Sequence, residues 1–131
     1  MSQENVKLVY RGYDSLNQRD PDAVLALMDD DVEIVPRSAA IEGSLHGHEG
    51  VRQWWKDMLD VWPDLTVEVV EVRDLGDLTL AAVRLRGHGA GSDLPSDATV
   101  WQVSRWREGK CVWLANFDTP GEALKAAGPS E

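Results

Sequence analysis

Gln102, Asn116 and Asp118 are the side chains whose types and spacing suit chemistry, and all three fall within ATVWQVSRWREGKCVWLANFD, residues 98 to 118. An amide holds a carbonyl or hydroxyl oxygen by hydrogen bonding, and a carboxyl group exchanges protons with a bound molecule. The stretch reads as two strands joined by Arg107-Glu108-Gly109, a three-residue loop ending on Gly because Gly tolerates the left-handed conformation there. With Trp106 opposite Lys110, Ser104 faces Val112, Gln102 faces Leu114, Val100 faces Asn116 and Ala98 faces Asp118. Alternation sets those residues on one face, and Thr99, Trp101, Val103, Arg105, Cys111, Trp113, Ala115 and Phe117 on the other. Both faces are largely apolar, so each needs a covering layer. Polar groups among apolar ones on a covered face are what a small-molecule pocket requires.

The rest of the chain must position that hairpin. From Asn5, the residues Val6, Val9, Tyr10, Tyr13 and Leu16 recur at helical spacing, and Asn17-Gln18-Arg19 ends the helix. Asp20-Pro21 offers a cap with Pro at the first helical position, followed by Val24, Leu25, Leu27 and Met28 as a short second helix. Asp29-Asp30-Asp31 reads as a solvated turn, since three adjacent carboxylates point in different directions and do not converge on a metal. Val32 to Val35 is a short strand stopped by Pro36, and residues 37 to 47 are a loop. A third helix from His48 carries Val51, Trp54, Trp55, Met58, Leu59 and Trp62 until Pro63 stops it, a stripe suited to covering a sheet. His46 and His48 lack the i, i+4 spacing that puts two imidazoles on one metal. Strands follow at Leu65 to Val72 and Leu78 to Arg86, completing a four-stranded meander with the hairpin. The link Gly87 to Pro95 is a rim loop, because no helix N-terminus follows it to hold a phosphate. Thr119-Pro120-Gly121-Glu122 is a capping box opening a short terminal helix. The expected class is α+β, with three helices against a curved antiparallel sheet and a cavity between the layers.

The 131 residues, 43% hydrophobic and 27% charged, suit one soluble domain over 1–131, ordered from about residue 4 to 127. A net charge of −10 argues against nucleic acid and anionic membrane surfaces as partners. The start, MSQENVKLVY, has no signal-peptide pattern and no stretch nears the ~20 apolar residues of a span, so a cytoplasmic location is expected. Cys111 is the only cysteine, and its place on the aromatic face suggests a buried, inert thiol.

The element order, with YRGYDSLNQRDPDAVLALMDDDVEI, HGHEGVRQWW and WREGKCVWLANFDTPGEAL, resembles the SnoaL-like polyketide cyclases of the nuclear transport factor 2-like superfamily. The resemblance covers nearly the whole chain and implies a cone-shaped, cystatin-like fold whose outer sheet face commonly forms a homodimer interface. It places Gln102, Asn116, Leu114 and Val100 in the cavity, and Trp101, Trp113 and Phe117 against a second subunit. The ketosteroid isomerase roles do not carry over: the oxyanion tyrosine falls on Gly12, the proton-shuttling carboxylate on Pro36 and the second oxyanion acid on Gln102. Gln102 keeps the capacity to donate a hydrogen bond to a carbonyl oxygen. Cyclases of this type place a carboxylate near Asp118, and the epoxide hydrolase pattern would draw on Asn116 and Asp118, with Arg84 or Arg37 as cation.

Two readings of function stand at this level. In one, Asp118, desolvated among apolar walls, is acid or base on a small, largely apolar substrate held by Gln102 and Asn116, with Tyr13 and Trp55 opposite. That enzyme needs no cofactor and is of isomerase, cyclase, hydratase or epoxide-hydrolase type. In the other, the protein is a ligand-binding or dimerisation module with a degenerate site, and Asp118 caps the terminal helix.

Overall fold

The computed structural model describes residues 2–36, 43–92 and 95–128. In chain order these form α1 (Ser2–Asn17), α2 (Pro21–Ala26), β1 (Met28–Val35), β2 (Leu45–His46), α3 (Gly47–Val61), β3 (Thr66–Asp74), β4 (Leu78–His88), β5 (Pro95–Arg107), β6 (Lys110–Phe117) and α4 (Pro120–Ala127). The six strands form one curved sheet in the order β2-β1-β6-β5-β4-β3. All neighbours are antiparallel except β1 and β6, which run parallel, so the sheet is mixed rather than purely antiparallel. Among the described residues no helix is long and apolar enough to cross a membrane.

The end of α1 explains how the first helix is aimed. Arg19 takes a left-handed φ of 59°, while its N–H and that of Asp20 bond back to the Leu16 and Ser15 carbonyls, closing the helix with a Schellman turn. Arg19 then donates to the Leu65 carbonyl at 2.8 Å. The Asn17 amide exchanges two hydrogen bonds of 2.8 Å with the backbone of Val67, pairing with β3 as a neighbouring strand would. These contacts lock α1 across the concave side of the sheet.

The second helix is shorter than its apolar pattern suggests. Asp20 caps it, accepting from the Ala23 N–H, but it ends at Ala26 because the Leu27 carbonyl is taken by the Cys111 N–H at 2.8 Å. That bond draws Met28 into the sheet beside β6. The Asp29-Asp30-Asp31 run thus lies within β1 instead of forming a turn, and its pairing with β6 skips between Met28 and Glu33. Strand β2 is a two-residue edge inside the expected loop, too short to produce any alternation. Gly50 of α3 passes so close to β2 that a Cβ there would sit 2.9 Å from the Leu45 carbonyl carbon.

The decisive local feature is the β5–β6 hairpin. Glu108 and Gly109 both have positive φ, 53° and 78°, so the connection is a two-residue turn of the I′ kind rather than the expected three-residue loop. Trp106 pairs with Cys111, but Arg105 pairs with Trp113, leaving Val112 as an extra residue on β6. Past this bulge the pairing is Ser104 with Leu114 and Gln102 with Asn116, two residues away from the expected partners. The bulge also turns Cys111 into the concave core, where it is fully buried, and not onto the aromatic face.

Helices α1, α2 and α3 cover the concave face, packing on Val67, Val83, Val100 and Leu114. The short terminal helix expected after the capping box, α4, lies on the convex face, apart from the three helices on the concave side. Its buried Ala123 packs among Leu78, Leu80 and Val103, with half-buried Trp101, Trp113 and Phe117 around it. Part of the aromatic face is therefore covered from within the chain. Elsewhere the convex face carries exposed ion pairs, Arg86 with Glu68 and Arg105 with Asp77 among them.

Candidate functional site

Between the sheet and the three helices lies a cavity of about 1060 Å³, at the upper end of the range for small-molecule sites. Helix α1 contributes Val9, Gly12, Tyr13 and Leu16, α3 contributes Trp54, Trp55 and Met58, and its C-cap contributes Trp62. The hairpin supplies Val100, Gln102, Ser104, Trp106, Cys111, Leu114, Asn116 and, next to its end, Asp118. Most of this wall is apolar.

A short polar chain crosses it. Gln102, only 3% exposed, donates from Nε2 to Asn116 Oδ1 at 3.1 Å, a contact the bulged register makes possible by setting the two residues opposite each other. The Tyr13 hydroxyl reaches Gln102 from α1. Burial pushes the Tyr13 phenol well above its ordinary value of 10.0, and the Gln102 hydrogen bond opposes that only in part. Tyr13 is therefore a neutral phenol at physiological pH, able to donate to a ligand oxygen but not to abstract a proton.

Below this chain two further groups are satisfied internally. Trp106 Nε1 donates to Thr79 Oγ1 at 2.9 Å. The Cys111 thiol, bonded to the Trp113 carbonyl at 3.4 Å, is pushed up by burial from 9.0 to about 12. It is inert at neutral pH, for the expected reason but in a different place. For both Cys111 and Tyr13 the folded-state value lies above the unfolded one. Their contribution to stability is thus complete below about pH 9 and is lost as pH rises toward the folded values. The urea unfolding midpoint is expected to hold steady between pH 7 and 8.5 and to fall steadily from about pH 9 to 11. An unchanged midpoint across that range would contradict the burial of these two groups.

Seven of the residues picked from the sequence line the cavity: Tyr13, Trp55, Val100, Gln102, Leu114, Asn116 and Asp118. Gly12 and Pro36, where the isomerase pattern would need a tyrosine and a carboxylate, line it as well. Arg84 does not. On β4 the residues Ala81, Val83 and Leu85 face inward, so Arg84 turns to the convex side and pairs with Asp97 at 2.8 Å. Arg37 lies outside the described residues.

Asp118 differs from expectation in its surroundings, being exposed rather than enclosed by apolar walls. Nor is it the helix cap. Thr119 holds that position, its Oγ1 accepting from the Glu122 N–H at 3.2 Å. Sequence reasoning gave no site role to Trp106, Ser104 and Trp62. The even-numbered parity of β5 points to the first two, and the stripe of α3 to the third. Among the described residues no group of three His, Cys, Asp or Glu side chains is arranged to hold a metal.

A curved sheet rolled around a cavity and closed by helices defines the nuclear transport factor 2-like class. Three solved structures share this fold. A candidate SnoaL-like polyketide cyclase from Jannaschia sp. CCS1 is 21% identical, covering 98% of this chain and 94% of that one, with a TM-score of 0.79. IdmH, a candidate polyketide cyclase from Streptomyces antibioticus, is 22% identical over 95% and 98%, with a TM-score of 0.76. A nuclear transport factor 2-like protein of unknown function from Burkholderia pseudomallei K96243 is 18% identical over 96% and 98%, with a TM-score of 0.78. At these identities the likeness concerns the fold alone. Residues 9–114 match the SnoaL-like domain model, and the chain belongs to that family. No curated protein matches it.

Proposed function

We propose that the cavity binds a small, largely apolar molecule, gripping one carbonyl or hydroxyl oxygen with Tyr13, Gln102 and Asn116. The observation that carries this reading is the Tyr13–Gln102–Asn116 chain, polar groups set in an otherwise apolar wall and bonded to one another. A solid core would have no use for them, since burying amides among hydrocarbon is unfavourable without a return in hydrogen bonding. Asp118, at the exposed edge of the cavity, is the acid or base for cofactor-independent chemistry of isomerase, cyclase, hydratase or epoxide-hydrolase type.

Its exposure favours a second reading, in which the site binds without reacting. One experiment separates the two. Small aromatic and alicyclic ketones and alcohols are screened by thermal shift and tryptophan fluorescence, and any ligand found is followed for turnover by wild type and Asp118→Asn. Catalysis through Asp118 predicts turnover reduced by about 10²- to 10⁴-fold in the variant with binding retained. Equal turnover removes Asp118 from the mechanism, binding without turnover supports the second reading, and no binding at all rejects both.

The protein is further proposed to pair with a second copy through the convex face around Trp101, Trp113 and Phe117. Their half-buried rings beside α4 support this. A monomer in sedimentation at micromolar concentration would count against it.

A further inference from the structure

Among the described residues, the charged side chains that border the cavity all have one sign. Asp57 and Asp60 of α3 and Asp118 after β6 line it, and among the described lining residues there is no Lys, Arg or His. Asp60 is partly offset by Lys56, whose Nζ lies 2.9 Å away and which does not itself line the cavity. Asp57 accepts a hydrogen bond from neutral Gln53 and feels Lys56 more weakly than Asp60 does. The whole chain adds to this field with a net charge of −10. An anionic ligand entering here would shed water without meeting a counter-charge among those residues.

The walls behind the carboxylates are aromatic. Trp54, Trp55 and Trp62 line the same helix-facing side, and their ring faces attract a cation held against them. Carboxylates at the edge and indoles within are together the surroundings in which an organic ammonium group is bound. We infer that the cavity selects for an apolar organic cation, an aromatic or alicyclic amine bearing a protonated or quaternary nitrogen, and against carboxylate and phosphate ligands of the same size. This rests on the ligand-binding reading above and adds the charge of the ligand to it. The hydrocarbon part sits on the apolar wall, and the nitrogen lies toward Asp57, Asp60 and Asp118.

The test compares three probes on one skeleton by isothermal calorimetry at pH 7 and low salt: (2-naphthylmethyl)trimethylammonium, 2-naphthalenemethanol and 2-naphthylacetate. The ammonium is expected to bind about tenfold more tightly than the alcohol, and the carboxylate more weakly than both. Raising the salt to 0.5 M should shrink the spread, because charges at an open edge are screened. In the double variant Asp57→Asn/Asp60→Asn, the ratio of ammonium to alcohol affinity should fall about threefold. Equal affinity for ammonium and alcohol, or tighter binding of the carboxylate, overturns the inference and leaves the ligand-binding reading intact. Failure of all three probes to bind counts against that reading too. A variant that does not fold leaves the decision to the wild-type series, which settles it alone.

Discussion

Trp106→Ala is expected to lower stability by about 3–5 kcal/mol, the largest effect of any single substitution proposed for this protein. Trp106 is 8% exposed and stands at the base of the hairpin, one pair from the turn. Its ring belongs to the main core cluster, and its Nε1 is bonded to Thr79 Oγ1 across β4. Truncation removes the hydrophobic contacts, leaves a void in a close-packed interior and deprives Thr79 of its partner. Trp106 also pairs with Cys111 next to the Val112 bulge, so its loss loosens the segment that sets the register. Trp106→Phe separates these terms. It keeps most of the packing and deletes only the N–H, and should be less damaging by about 2 kcal/mol. Urea unfolding of the two variants measures the difference. Equal values for Ala and Phe would mean that packing at this position matters little.

Gln102→Leu is expected to destabilise the fold by about 1–3 kcal/mol and to weaken ligand binding by tenfold or more. Leucine is close to glutamine in size, so little volume changes. What changes is that Asn116 Oδ1 loses its donor and the Tyr13 hydroxyl loses its partner on a face covered by helices. Leaving such groups without partners is more harmful than removing all of them together. The double variant Gln102→Leu/Asn116→Leu should therefore recover part of the lost stability while binding stays lost. A double-mutant cycle on stability and affinity tests this coupling. Additive losses in stability would show that the two amides do not act as a unit.

Much of the architecture is legible in local pattern. The α3 stripe from Val51 to Trp62, the Asp20-Pro21 and Thr119-Pro120 helix starts and the even-numbered parity of β5 each depend on residues within a turn or two. They survive into the structure because local propensity and burial agree there. The candidate site follows in part from the same parity, since alternation holds Val100 and Gln102 on the concave face, while Asn116 joins them only through the bulge at Val112.

Other features depend on partners far away in sequence. Asp29 to Asp31 enters a strand only because the Leu27 carbonyl meets the Cys111 N–H, a contact spanning most of the chain. Arg84 faces outward because pairing sets it on the convex side beside Asp97, a partner on the neighbouring strand. Asp118 is exposed because α4 starts at once and crosses the convex face.

The amino-acid sequence by itself determined the order of the elements, the two-faced hairpin and the polar pair in an apolar wall, all of which arise from periodicity and turn chemistry. The tertiary structure alone decided which of those polar groups touch. One extra residue at Val112 shifts the β5–β6 pairing and brings Gln102 to Asn116, and a bulge is set by how two strands twist against the layers around them.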